Sequence, residues 1–383
     1  MVDRLLKTLT SLRLTVVCLA LSLVLVFVGT IAQVEEGLYQ AQARYFKSFL
    51  ILWSPEGSSW RFPVFPGGYL VGLVLLVNLL AAHAKRFKLT KKKIGIFLIH
   101  GGLILLLVGQ LSTDLLSTES AMRLREGESK NYSEDFHANE LVVIDKSVDS
   151  EDRVVSIPER IVAEQKEIRH ASLPFTLNIR DYWPNSDLTT NSSAVMAIPA
   201  KATRGVGQGA YVVPMKPVVS MENRNMPSAV VEVVGANGSE GSWLVSTGFG
   251  ARQPFHYQGR EYEISMRFKR HYKPHWIELL DFRHDKYKGT EIPKNFSSRV
   301  RLRRPDTGED REVLIYMNSP LRYDGETYYQ AGFDERIPDL TILQVVRNPG
   351  WLTPYFACSL VGLGLVVQFL THLIGFATKR RAS

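Results

Sequence analysis

Cysteine is scarce in this chain of 383 residues, which contains only Cys18 and Cys358. Both fall inside long apolar runs, and no Cys-x-x-Cys motif occurs. The chain therefore lacks the residues for thiol–disulfide chemistry in an outer compartment. By the topology argued below, the two thiols lie toward opposite faces of a membrane. Their Cα atoms would then be farther apart than the roughly 7 Å that a disulfide tolerates.

Several enzyme signatures are also missing from the sequence. There is no glycine-rich loop of the kind that cradles phosphate, no Gly-x-Ser-x-Gly elbow and no convincing pair of catalytic carboxylates. The polar stretch 112–350 has no long amphipathic helix, internal repeat or low-complexity tract. These absences favour a binding or presenting module over a hydrolase for that stretch.

Long apolar runs are abundant, although the mean hydropathy of the whole chain is near zero. Four runs approach the length of about 20 residues that a bilayer core requires. They predict an integral membrane protein with four transmembrane α-helices, and a large β-rich domain outside the cytoplasm between the third and fourth. The first run could instead be a secretory signal peptide, since Thr30-Ile31-Ala32 loosely resembles a cleavage site, but its length favours a retained anchor. The four spans are Leu14–Ala32, Gly67–Ala84, Ile94–Leu111 and Leu352–Phe376.

These spans divide the chain into an N-terminal membrane region (1–111), an extracytoplasmic domain (112–350) and a C-terminal span with a short basic tail (351–383). The charged residues behind the net charge of +8 are distributed according to the same spans. Three short segments beside the spans carry +11 in total, so the rest carries −3, and a nucleic-acid partner is not expected. This distribution follows the positive-inside rule and predicts cytoplasmic termini. The segments contain only one acid, Asp3, and these bases: Arg4, Lys7, Arg13, Lys85, Arg86, Lys88, Lys91, Lys92, Lys93, Lys379, Arg380 and Arg381.

The stretch 112–350 shows the pattern of a β-sandwich or open barrel. Short runs rich in branched and aromatic residues predict strands. Asn237-Gly238 and Asp324-Gly325 are strong hairpin signals between such runs. Ahead of this stretch, the aromatic residues of 37–60 favour a short helix lying on the outer membrane surface. The predicted strands include Leu141–Ile144, Phe175–Ile179, Ala229–Val234 and Glu263–Phe268.

One imidazole, that of His100, interrupts the third span. An ionisable side chain at membrane depth is costly, and imidazole is the commonest metal ligand among side chains. Gly101 and Gly102 follow it and leave space where a flat ligand could lie. These residues indicate a metal or haem site within the membrane. A hydrogen bond from the imidazole to a neighbouring helix is the alternative.

Two further histidines belong to spans and remain alternatives for a second axial ligand. His83 lies beside the basic end of the second span, and His372 is about one turn from the end of the fourth, so both could simply be interfacial. A partner protein could also complete the site. Outside the spans, His271 and His275 have the spacing of a helical metal motif, but Pro274 argues against a helix. Strand or turn histidines on a polar face are expected there.

The C-terminal part of the chain carries a more specific pattern. Tyr316–Ala331 reads YMNSPLRYDGETYYQA, and Val345–Gly350 leads directly into the last span. Phe282–Tyr287 and Asn295–Ser298 stand upstream. This pattern resembles the ResB/CcsB family of cytochrome c biogenesis proteins, in which a segment like N-P-L-R-Y-x-G-x-x-x-Y-Q precedes the final span. Ser319 departs from it, since the family usually has Asn directly before Pro-Leu.

The resemblance covers the whole chain and implies a membrane subunit of System II cytochrome c maturation in the bacterial inner membrane. It implies haem b as the bound group, with His100 as an axial ligand within the membrane. It also implies three kinds of partner: a ResC/CcsA-type membrane protein that supplies the other axial ligand, apocytochrome c, and thiol-reducing factors of the pathway. The chain would be a non-catalytic or co-catalytic subunit of a holocytochrome-c synthase. A scaffold that assembles partners without touching haem is the alternative.

Overall fold

The protein was examined as a computed structural model, which describes residues 2–55, 60–86, 90, 93–147, 152–218, 224–289, 293–334 and 337–382. Three of the bases in the charge argument, Lys88, Lys91 and Lys92, lie outside the described residues. The chain forms two compact units. Residues 1–118 and 347–383 make up the helical unit, and residues 119–346 make up the β-rich unit.

Within the described residues, four helices are long and apolar enough to cross a membrane, and they overlap the four predicted spans. Apolar residues occur all round these helices instead of along one face. This distribution is expected of a helix that faces lipid on most sides. A π-helical turn, Gln42–Phe46, and a 3₁₀ turn, Gly205–Gly207, add to them. The helices are α1 Val2–Leu9, α2 Leu12–Glu36, α3 Leu38–Ala41, α4 Gly68–Arg86, α5 Ile94–Leu116, α6 Glu159–Glu164 and α7 Thr353–Ala382.

The helices extend beyond the predicted spans at their ends. As a result α2 includes Glu35 and Glu36, and α5 includes Asp114, which lies past the predicted limit at Leu111. The Asp114 carboxylate is held by Lys47 Nζ at 2.5 Å and by the hydroxyl of Tyr69. An ion pair of this kind is expected at the membrane–water interface. It does not indicate a pathway for ion transport through the helices.

The helix expected over residues 37–60 is only partly present. Helical turns end at Phe46, and a hairpin of Leu50–Trp53 with Phe62–Pro66 follows. The expectation of a single surface helix was therefore wrong beyond Phe46. Adjacent apolar residues such as Leu50, Ile51 and Leu52 suit a strand, because their side chains alternate between two faces.

Glycines at seven-residue intervals bring α5 and α7 close together. A Cβ on Gly95 would meet Gln368, and one on Gly109 would meet Thr353. Small residues at a helix interface allow this approach, which gives van der Waals packing where lipid offers no hydrophobic driving force. Asn78 of α4 supplies a polar contact: its amide nitrogen donates to the carbonyl oxygens of Leu9 at 2.6 Å and Ser11 at 3.1 Å.

The strands that were predicted in the β-rich unit are all present. Hydrogen-bonded neighbours such as Ser228–Gly235 with Gly238–Ser246, and Arg260–Lys286 with Pro293–Arg304, are antiparallel. The first two strands of the chain, β1 Leu50–Trp53 and β2 Phe62–Pro66, form the hairpin of the helical unit. The others are β3 Thr118–Arg125, β4 Ser129–Asp145, β5 Arg153–Pro158, β6 Glu167–Ile168, β7 Thr176–Trp183, β8 Ser186–Thr189, β9 Ile198–Pro199, β10 Tyr211–Pro214, β11 Ser228–Gly235, β12 Gly238–Ser246, β13 Gln253–Tyr257, β14 Arg260–Lys286, β15 Pro293–Arg304, β16 Glu309–Tyr316, β17 Leu321–Tyr323, β18 Glu326–Asp334 and β19 Ile337–Arg347.

A sandwich-like core lies between two sheets of this unit. One sheet has the order β12-β11-β7-β6, and the other has the order β16-β15-β14-β4-β3-β19-β18-β17, with β5 and β13 paired beside β4 and β14. Leu177 and Val231 from the first sheet pack with Leu141 and Ile264 from the second. All four side chains are fully buried.

The long strand β14 also contributes to a second core. Its first half carries Ile264 into the sandwich, and its second half carries Ile277 and Leu279 against Tyr328 and Leu343. Tight turns fix the register of the strands around it. Asp324 and Gly325 have φ angles of +50° and +75°, so the predicted Asp-Gly turn joins β17 to β18. A hairpin also joins β11 to β12, as the Asn237-Gly238 signal predicted, but its two turn residues are Ala236 and Asn237, and Gly238 begins β12.

Candidate functional site

The imidazoles of His83 and His100 lie side by side in the helical unit. His83 belongs to the last turn of α4 and His100 to the second turn of α5, and the short connection brings these two helix ends together. The Nδ1 atom of His100 is 3.0 Å from Nε2 of His83. The rings meet edge to face, with centroids 4.6 Å apart and planes at 84°. The sequence indicates a role for both residues, but it does not predict that their rings are in contact.

His83 is held in turn by its own helix and by a ring of α5. Its Nδ1 atom lies 2.9 Å from the carbonyl oxygen of Leu79, one turn earlier. The ring of Phe97 meets it edge to face at 5.5 Å between centroids. Both imidazoles are half-buried. His83 therefore has a fixed position rather than that of a solvated interfacial side chain.

The two neighbouring glycines differ in their surroundings. A Cβ built on Gly101 would meet nothing within 4 Å, so the space expected beside His100 is present there. A Cβ on Gly102 would instead lie 2.6 Å from Cγ2 of Val361 and 2.7 Å from the carbonyl oxygen of Ala357. The expectation that Gly102 leaves room for haem is corrected, because α7 occupies that space.

His372 belongs to another part of the helical unit. Its Nε2 atom lies 2.7 Å from Nε2 of Gln368, and the side chain is exposed. Gly364 of α7 lies against Ile99 of α5. Eight residues separate Gly364 from His372, which is about 12 Å along a helix. Of the two histidines named as alternatives, only His83 is brought beside His100.

The site has the chemistry that haem ligation requires. Imidazole nitrogen is a ligand for haem iron, and the apolar faces of the helices suit a largely apolar macrocycle. Gly101 provides an open surface next to His100. The residues present therefore fit a haem held by His100. Among the described residues there is no group of three or more His, Cys, Asp or Glu side chains that could hold a bare metal ion.

A buried charge network in the β-rich unit was missed by sequence reasoning. We use this name for Lys273, His275, Glu326 and Tyr328. Lys273 Nζ donates to Oε1 of Glu326 at 2.7 Å, and the Tyr328 hydroxyl donates to Oε2 of the same carboxylate at 2.7 Å. Nε2 of His275 lies 2.8 Å from that hydroxyl. His275 is only 1% exposed, so the expected polar face was wrong for this residue.

The neighbouring His271 matches the expectation of a strand histidine. Its Nε2 atom lies 3.1 Å from Oδ2 of Asp135, and both side chains are partly exposed. Burial alone would raise the pKa of Asp135. The hydrogen bonds from His271 and from the backbone amides of His137 and Ala138 outweigh it and hold the pKa at about 2. This carboxylate is a structural acceptor, not a proton donor at neutral pH.

Comparison with known proteins identifies part of the β-rich unit. Residues 229–340 match the family described as ResB-like. This confirms the resemblance to the ResB/CcsB family. The chain is also similar to Protein NrfI of Wolinella succinogenes, with 25% identity over 305 residues. That alignment covers 78% of this chain and 29% of NrfI, so the chain spans under a third of the length of this relative.

The ResB-like segment contains the whole buried charge network. The network joins β14 to the β17–β18 hairpin, which carries the motif seen in the sequence. Tyr323 of that motif packs edge to face on His275, with centroids 4.9 Å apart. Part of this motif is therefore explained by structure, since its aromatic and acidic residues bury a lysine and a histidine and hydrogen-bond to Lys273 Nζ and His275 Nε2. Nδ1 of His275 is buried without a hydrogen-bond partner among the described residues.

Proposed function

We propose that this chain is a membrane subunit of a System II cytochrome c maturation complex that binds haem b through His100. The observation that carries the proposal is the pairing of an apolar-helix imidazole, His100, with the open surface at Gly101. The ResB-like match of residues 229–340 supports the pathway. A cytochrome c biogenesis role agrees with the similarity to NrfI.

The topology in this proposal follows the charge distribution. Basic residues near α1, between α4 and α5, and after α7 would face the cytoplasm of a bacterial inner membrane. The β-rich unit would then lie outside. His100, two turns from the basic start of α5, would be in the cytoplasmic half of the membrane. Haem taken up at that depth still has to reach the outer face.

The residues of this chain would bind and orient haem rather than perform covalent chemistry. His100 would hold haem through an imidazole nitrogen, and a ResC/CcsA-type membrane protein would supply the second ligand. When bound, haem provides the vinyl groups that become joined to the thiols of apocytochrome c. Thiol-reducing factors of the pathway would keep those thiols reduced, because Cys18 and Cys358 lie in apolar helices.

The β-rich unit would present apocytochrome c to haem. An interaction surface suits this task better than a nucleophile, and the sequence has no hydrolase motif. Within this proposal the chain is a co-catalytic subunit of a holocytochrome-c synthase. Attachment itself would take place where the outer domain meets the haem-bearing partner.

Copurification tests the haem assignment. The full chain and its ResC/CcsA-type partner are purified together, and the Soret absorbance per complex is recorded for the wild type and for His100→Ala. We expect His100→Ala to lose or shift the Soret band, and His372→Ala to retain it. Unchanged haem content and spectrum in His100→Ala would contradict the proposal and favour a scaffold that does not bind haem.

A further inference from the structure

The contact between His83 and Leu79 determines which ring nitrogen of His83 carries hydrogen. A carbonyl oxygen only accepts hydrogen bonds, so Nδ1 of His83, at 2.9 Å from Leu79 O, is the N–H donor. A neutral imidazole has one such hydrogen, and a second would place a charge among apolar helices. The Nε2 atom of His83 therefore carries a lone pair.

The position of the ring hydrogen of His100 follows from that of His83. Its Nδ1 atom is 3.0 Å from Nε2 of His83, and that nitrogen can only accept. Nδ1 of His100 is therefore the donor, and its hydrogen is fixed on that side of the ring. The lone pair of His100 is then on Nε2. This is the tautomer in which a histidine can bind a metal through Nε2.

We propose that His83 is a positioning residue for His100, and not an axial ligand. Metal-binding histidines usually donate their other ring N–H to an acceptor, which fixes the tautomer and the ring orientation. Here the acceptor is a second imidazole, which is itself fixed by Leu79 O. The contact to Phe97 adds a steric constraint on the His83 ring.

The geometry argues against an iron between the two rings. Bonds from a metal to imidazole nitrogen are about 2 Å, so two nitrogens on opposite sides of one iron lie about 4 Å apart. The nitrogens of His83 and His100 are 3.0 Å apart, and their planes are nearly perpendicular. This is a hydrogen bond between rings. A second ligand to haem would then come from another protein.

The role of His83 in haem binding rests on the proposed function, but the tautomer of His100 does not. It can be measured without haem, by ¹⁵N NMR of the full chain labelled at histidine nitrogen and held in detergent micelles. The His100 signals are identified by their loss in His100→Ala. Two variants separate shape from hydrogen bonding: His83→Phe keeps a ring without an acceptor, and His83→Gln keeps an acceptor. His372→Phe is the matched control.

We expect His100 to be protonated at Nδ1 in the wild type, His83→Gln and His372→Phe, and to become a mixture of tautomers in His83→Phe. A wild-type signal protonated at Nε2 would overturn the inference. So would a tautomer that His83→Phe leaves unchanged. Thermal unfolding of each purified variant confirms that the compared proteins are folded.

Titration of the same proteins with haem b then tests the link to binding. We expect His83→Phe to bind haem about 10–100-fold more weakly with the wild-type Soret position, and His83→Gln to recover most of the affinity. Loss of the wild-type spectrum in both variants would make His83 a ligand and overturn the proposal, as would wild-type affinity in His83→Phe. If the wild type binds no haem while the tautomers behave as expected, the proposed function fails and the role of His83 in orienting His100 stands.

Discussion

Lys273 donates a hydrogen bond to Glu326 across 53 positions of sequence, at 2.7 Å between Nζ and Oε1. The lysine side chain is 3% exposed and the glutamate side chain 16% exposed. The pair is possible because the pairing of β14 with β4 is interrupted between Tyr272 and Ile277. The chain bulges there and turns Lys273 inward to the β17–β18 hairpin.

Removing one member of this pair should destabilise the β-rich unit strongly. In Lys273→Met the carboxylate of Glu326, which is 16% exposed, loses its cation in a largely buried position, and the expected cost is about 3 kcal/mol. Replacing both, as in Lys273→Met with Glu326→Leu, should restore much of the loss, because no buried charge remains. Denaturant unfolding of the full chain, followed by tryptophan fluorescence, measures both effects. A double variant no more stable than Lys273→Met would contradict this account.

The stability of the β-rich unit should also depend on pH through His275. Burial is the main cause that lowers the pKa of His275 below its ordinary 6.5, and Lys273 and Arg304 act in the same direction. Glu326 and Asp324 oppose them. Because the unfolded chain then binds a proton more readily than the folded one, this contribution is complete above about pH 6.5 and is lost as the pH falls toward the folded pKa.

The corresponding measurement compares melting temperatures at pH 7.5 and pH 5.5. The wild type should lose stability on acidification, and His275→Gln should lose less, although it is less stable at pH 7.5. His256, exposed on β13, supplies the control, and His256→Gln should keep the wild-type slope. An unchanged slope in His275→Gln would show that another group causes the acid sensitivity.

The features that local chemistry determines were predictable, and those that depend on register were not. Asp324-Gly325 favours φ > 0 and both residues have it, so this turn follows from the dipeptide. Asn237-Gly238 predicted the hairpin of β11 and β12, where only Gly238 of the two has a positive φ. The apolar runs likewise predict the four long helices. The network of Lys273 and Glu326 depends on a strand interruption that no dipeptide encodes. The contact of His83 with His100 depends on how two helices cross, and sequence alone left it open.

The two glycines after His100 should respond differently to added bulk. Gly102→Leu would push against Ala357 and Val361, so the α5–α7 contact should loosen at a cost of about 1–3 kcal/mol. Gly101→Leu meets no neighbour and should leave the melting temperature nearly unchanged. If haem lies beside His100, Gly101→Leu should nevertheless weaken haem binding. Equal melting temperatures for both variants would contradict the assigned packing.

The proposed topology predicts opposite accessibilities for two exposed loop positions. Thr307, in the turn between β15 and β16, should face the outside, and Thr90, between α4 and α5, should face the cytoplasm. Single cysteines are introduced at each position after Cys18 and Cys358 are replaced by alanine. In intact cells an impermeant maleimide should label Thr307→Cys and not Thr90→Cys, whereas permeabilised cells should show both. Labelling of Thr90→Cys in intact cells would show that the membrane orientation is the reverse of the proposed one. His100 would then lie in the outer half of the bilayer, and uptake of haem from the cytoplasmic side through this residue would no longer be tenable.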